Sequence, residues 1–123
     1  MSEKTILCIE DNFQNRILVS RILTSRGYKV IEAADGLEGM EMIRSLKPPL
    51  VLLDIDLPGM GGIEIVGHVR ADEALRHIPV IALTASAMQG DKERFLKAGC
   101  DDYLSKPIQV KELLDMVAEY YPE

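Results

Sequence analysis

A chain of 123 residues with 47% apolar and 28% charged residues is long enough for one sizeable core and not for several. A net charge of −6 and the lack of any run of Lys or Arg argue against nucleic acid and against an anionic membrane as partners. The apolar run near the N-terminus, Ile6–Ile9, is too short for a signal peptide or a membrane span. Cys8 and Cys100 fall in different elements and read as reduced thiols. The expected compartment is the cytoplasm, and the expected organisation is one domain over residues 1–123.

In chain order, Ile6-Leu7-Cys8-Ile9 reads as a first short strand that runs into Glu10-Asp11-Asn12. A helical pattern follows, with Ile17, Leu18, Ile22 and Leu23 on one face, and Gly27 closes it. Tyr28 to Ala33 is a second strand, and Asp35-Gly36 leads into a helix through Met40 and Ile43 that ends before Pro48-Pro49. Leu50-Val51-Leu52-Leu53 is apolar without interruption, ends in Asp54, and is stopped by Pro58-Gly59. It reads as a strand buried on both faces. Ile63, Val66 and Val69 are spaced as a helix face. Val80 to Leu83 is a fourth strand ending at Thr84, and the helix after Gly90 places Phe95 and Leu96 inward. Tyr103-Leu104 is a weak fifth strand before Ser105-Lys106-Pro107. Val110, Leu113, Leu114 and Val117 mark a last amphipathic helix. Five strand–helix units in strict alternation predict an α/β domain: a doubly wound, five-stranded parallel sheet with five helices.

The residues at the carboxyl ends of these strands are Glu10 and Asp11, Asp54 and Asp56, Thr84, and Lys106. In an open α/β sheet that edge is where ligands bind. Carboxylates converging there repel one another unless a hard divalent cation neutralises them, and Mg²⁺ takes a few carboxylates together with water and phosphate oxygens. A lysine and a hydroxyl beside them suit a phosphoryl group.

In the order Glu10-Asp11, Leu50 to Asp54, Pro58, Met60 and Gly62, Thr84-Ala85 and Lys106-Pro107, the chain resembles the receiver domains of two-component response regulators along essentially its whole length. The resemblance implies a flavodoxin-like sheet of order 2-1-3-4-5. It implies that Asp54 is the phosphoacceptor, taking phosphate from a histidine kinase or a histidine phosphotransfer protein. It implies Mg²⁺ as cofactor, held by Asp11, Asp54 and the backbone carbonyl of Asp56, with Glu10 acting through water. Thr84 and Lys106 would bind the phosphoryl oxygens, and Tyr103 would be the switch aromatic. Asp56 and Ser86 occupy the positions that tune the lifetime of the phosphorylated state; an acid at Asp56 could repel the phosphate, assist water, or point away.

Gly61 stands where the family commonly has Asp, which removes a side-chain cap from the third helix. Met1 and the end after the fifth helix suggest a stand-alone regulator signalling to a downstream protein target, or alternatively a relay intermediate. The rival from another class is a small Mg²⁺-dependent aspartyl-phosphate phosphatase, since Asp54-Ile-Asp56 also resembles the DxD pair of haloacid-dehalogenase-type enzymes. That family carries its nucleophile on the first strand, and here Glu10-Asp11 would have no role. His68 and His77 are not at metal-ligand spacing. The methionines read as packing and surface residues.

Overall fold

The computed structural model describes residues 4–57, 59–85 and 89–121. Five strands, β1 (Thr5–Ile9), β2 (Lys29–Ala33), β3 (Val51–Asp54), β4 (Val80–Thr84) and β5 (Asp102–Ser105), form one parallel sheet of order β2-β1-β3-β4-β5. Five helices alternate with them: α1 (Phe13–Thr24), α2 (Gly36–Leu46), α3 (Gly62–Ala71), α4 (Gln89–Ala98) and α5 (Val110–Tyr120). No helix among the described residues is long and apolar enough to cross a membrane.

The period-2 alternation of the strands divides the interior into two clusters. Leu7, Ile9, Val51, Leu53, Val80 and Ala82 face Met40 and Ile43 of α2, Ile65, Val66 and Val69 of α3, and Phe95 of α4. Ile6, Cys8, Leu52, Ile81 and Leu83 face Val19, Ile22 and Leu23 of α1 and Leu113 and Val117 of α5. β3 and β4 are buried at every position, as a strand covered on both faces must be.

Helix boundaries follow local chemistry. Asn12 caps α1 by accepting the Asn15 N–H at 2.9 Å, and Asp35 caps α2 by accepting the Glu38 N–H at 2.8 Å. Gly27, at φ 88°, turns the chain out of α1 in the left-handed region. Gly61 caps α3 without a side-chain bond, as its lack of a side chain predicts.

Three helix positions differ from the sequence pattern. Leu18, Leu96 and Val110 are exposed at 40%, 41% and 53%. Leu18 and Leu96 each sit next to the true inward residue, Val19 and Phe95, and one residue is about 100° of helix rotation. Val110 opens α5 one turn ahead of the buried Leu113. The sequence pattern also passed over Leu75 and Ile78, both buried in the connection between α3 and β4. There Arg70 ties the loop down, donating to the carbonyls of Arg76 and Ile78 at 2.8 Å, to Gly99 at 2.9 Å and to Asp101 at 2.8 Å.

Both cysteines are free and buried. Burial pushes the Cys8 thiol up to about 12, aided by the nearby Glu10 charge, and the Cys100 thiol up to about 11. At about pH 8 neither holds an appreciable thiolate fraction. Native protein is therefore expected to leave Ellman's reagent unreacted, with both thiols titrating only after unfolding in guanidinium. Prompt reaction of either thiol in the native state would contradict this packing.

Candidate functional site

β1 and β3 are neighbours with Ile9 level with Leu53, so Glu10, just past β1, and Asp54, the last residue of β3, stand side by side at the carboxyl edge of the sheet. The Glu10 N–H still bonds the carbonyl of Ala33 at 3.1 Å, which keeps Glu10 in register while the chain turns toward α1. The Asn12 N–H then donates to Glu10 Oε1 at 3.1 Å. Asp54 Oδ1 accepts the Asp56 N–H at 3.0 Å, a short turn at the end of β3 that Ile55 and Gly62 close by backbone bonds. Glu10 and Asp54 are buried, at 0% and 2% exposure, whereas Asp11 is exposed.

Lys106 reaches these acids from the far side. It follows β5, its N–H bonds the Thr84 carbonyl at 2.7 Å, and its peptide bond to Pro107 is cis. Its ammonium lies 3.0 Å from Glu10 Oε2 and 3.2 Å from Asp54 Oδ2. Burial raises the Glu10 carboxyl above its usual range, while Lys106 and the Asn12 N–H pull it back down. Burial alone would lower Lys106, but the Glu10 and Asp54 carboxylates outweigh it and hold the ammonium above its ordinary value.

Each of Glu10, Asp11 and Asp54 offers a carboxylate oxygen, and these oxygens lie within 4.8 Å of one another. Among the described residues, three formal negative charges face the one positive charge of Lys106. Glu10 Oε2 is buried, and the Lys106 ammonium is its countercharge at 3.0 Å. An all-oxygen cluster with surplus negative charge suits a small hard divalent cation.

The structure thus brings together Glu10, Asp11, Asp54 and Lys106. Thr84 is buried at the end of β4, where the Ile55 N–H bonds the Leu83 carbonyl beside it. The Asp56 side chain is exposed. Tyr103 is half-buried on β5, packed against the α2–α4 side of the core, with the Lys92 ammonium 5.5 Å from its ring centre. Ser86, like Pro58 and Met88, lies outside the described residues. One neighbour's role beside the site went unread in the sequence: that of Arg16, whose Nη1 donates to the Glu10 carbonyl at 2.8 Å and whose Nε donates to Glu32 at 3.0 Å. Its place in the first turn of α1, beside the strand it must pack on, is the only local signal for it.

Residues 6–118 match the family model described as the response regulator receiver domain. The polar-differentiation response regulator DivK of Brucella anthropi is 41% identical over 117 residues, 95% of each chain. That of Brucella ovis is 42% identical over the same share. Among solved structures, the receiver domain of sensor histidine kinase PA1611 from Pseudomonas aeruginosa, which holds a magnesium ion in its active-site cleft, is 36% identical with a TM-score of 0.89. The match covers 99% of this chain and 100% of that one. The chemotaxis protein CheY4 of Vibrio cholerae is 27% identical with a TM-score of 0.90, over 97% and 99% of the two chains.

Proposed function

The chain belongs to the response regulator receiver family, and from that membership we propose that it accepts a phosphoryl group on Asp54 from a phosphohistidine of a kinase or phosphotransfer protein. The observation that carries the reading is the placement of a buried Asp54 between the acids Glu10 and Asp11 and the ammonium of Lys106, 3.2 Å away. In the transfer, an Asp54 carboxylate oxygen forms a bond to phosphorus as the phosphorus–nitrogen bond of the donor breaks, and the electron pair stays on the imidazole.

Asp11 and Asp54, with the Asp56 carbonyl and with Glu10 through water, would hold Mg²⁺, which when bound supplies charge neutralisation at the phosphoryl oxygens. Lys106 holds Asp54 in place before transfer and afterwards faces the new phosphoryl oxygens as a point charge. Thr84, at the adjacent strand end, donates its hydroxyl to one of them. The side chain of Asp56 and that of Ser86 set how soon water reaches the acyl phosphate. The protein's chemistry is then confined to its own acceptor, and its output is a change in its own protein-binding surface, read by a downstream protein target.

The added group carries about −1.5 to −2 charges and three acceptor oxygens. A two-state surface needs about 5.5 kcal/mol of differential interaction to pass from mostly off to mostly on. Contacts from Lys106 and Thr84 to a charge that was not there before are of the right kind to supply it. The surface that would respond includes Tyr103, which lines an open groove of about 410 Å³ between α4, β5 and α5.

Intact mass after incubation with acetyl phosphate tests the reading. Wild type is expected to gain one phosphoryl group with Mg²⁺ and none with chelator, and Asp54→Asn to gain none in either. A full adduct on Asp54→Asn would remove Asp54 as acceptor. Multiple-turnover release of phosphate from unrelated esters, with no adduct, would favour the phosphatase.

A further inference from the structure

Asp11 is the exposed member of the acidic trio, and no described residue holds its carboxylate by a hydrogen bond or an ion pair. Its direction is therefore set by the backbone that carries it. That backbone is held on both sides: the Asn12 N–H is bound by Glu10 Oε1 at 3.1 Å, and the carbonyl of the Glu10–Asp11 peptide accepts from Arg16 Nη1 at 2.8 Å.

Arg16 is itself held. Its Nε donates to Glu32 Oε1 at 3.0 Å, and the second Glu32 oxygen accepts the Ser20 hydroxyl at 3.0 Å. The guanidinium also lies 5.6 Å from the centre of the Phe13 ring. Glu32 belongs to β2, the edge strand beside β1, so the chain of contacts runs from α1 to the sheet edge and back to the peptide that bears Asp11.

We propose that Arg16 is a positioning residue for the cation site, fixing the Glu10–Asp11 peptide and thereby the Asp11 carboxylate, with Glu32 orienting Arg16 and cancelling its charge. The inference rests on the reading of Asp11 as a cation ligand. A planar fork is required: one nitrogen serves the peptide carbonyl while another serves Glu32, which a single ammonium cannot do in the same geometry. The charge balance matters equally. A bare cation beside the trio would repel a second cation, whereas Arg16 paired with Glu32 orients the ligand without adding net charge. The arrangement has the logic of the outer-shell groups that orient metal ligands elsewhere, acting here through a peptide plane.

The test is calorimetric titration of the full chain with Mg²⁺ alone, beside urea unfolding in chelator to separate stability from affinity. Arg16→Gln is expected to weaken Mg²⁺ binding about tenfold, and Arg16→Lys about as much, the lower end of the range for outer-shell groups. Glu32→Gln, an exposed change that leaves the fold intact, is expected to weaken it about threefold. The double variant Arg16→Gln/Glu32→Gln should be no worse than Arg16→Gln, because the two act through one path. Affinities of both Arg16 variants within twofold of wild type, whatever their stability, would overturn the proposal. So would losses that simply add. Asp11→Asn separates this from the underlying reading: if wild type binds no Mg²⁺, or Asp11→Asn binds it equally well, the cation site itself is wrong.

Discussion

Lys106→Met is expected to cost about 3 kcal/mol of stability at neutral pH in chelator, because it removes the one positive charge that, among the described residues, is in contact with two buried carboxylates. The lower end of the range for a broken buried pair applies, since Met keeps the aliphatic stem and the site opens to water beside Asp11. The loss should depend on pH in a definite direction. With Lys106 gone, only the Asn12 N–H still offsets the burial and the Asp54 charge that raise Glu10, so the folded state binds that proton more tightly than the unfolded chain does. Stability of the variant then falls as pH rises through the raised Glu10 value, and it is regained on acidification toward the ordinary value of 4.5. In wild type the raised Lys106 contributes fully below 10.5, and its share is lost as pH climbs through its folded value above that. The gap between the two proteins should be widest from neutral to mildly alkaline pH and narrow toward both ends. Urea unfolding at about pH 5, 7 and 9 reads it directly. A gap below about 1 kcal/mol, or one that is flat with pH, would mean that Lys106 is not the countercharge the geometry makes it.

The same residues explain why the site could be read in the sequence while its support could not. Leu50 to Asp54 announces itself locally: an unbroken apolar run that ends in an acid and is followed by Pro58-Gly59 has few structural alternatives. Five such runs alternating with helical patterns fix a parallel sheet, and a parallel sheet collects its strand ends on one edge. Glu10, Asp54, Thr84 and Lys106 were therefore legible as a group from the order of the strands alone. Helix faces were legible only to within one residue, because neighbours such as Leu18 and Val19 or Leu96 and Phe95 are equally apolar and only packing chooses between them. Arg16 and Arg70 were illegible for another reason. Each serves acceptors far apart in sequence, Arg16 reaching Glu32 and Arg70 reaching Gly99 and Asp101, and no periodicity encodes a long side chain's choice of carbonyl.

The β3–α3 loop is held by a packing constraint that a single added methyl group should expose. Gly36 opens α2, and a Cβ there would collide with the carbonyl oxygen of Met60 and stand 3.1 Å from the Met60 Cβ. The first obstacle is backbone, which cannot swing aside as a side-chain tip can, so either the start of α2 or the loop after Asp54 has to shift. Gly36→Ala is expected to cost about 3 kcal/mol, the upper part of the range for overpacking. Gly67 offers the opposite case within the same protein. It is exposed in the interior of α3, and a methyl group added there would meet nothing within 4 Å. Gly67→Ala should stabilise the protein by about 0.8 kcal/mol, because only helix propensity changes there. The two substitutions are chemically identical and sit in helices that flank the same face of the sheet, so opposite signs isolate the contact with Met60 as the cause. Urea midpoints of the two variants decide it. A Gly36→Ala protein as stable as wild type would show that α2 and the loop yield freely. The loop beside the acceptor would then be set by its own turn and not by α2.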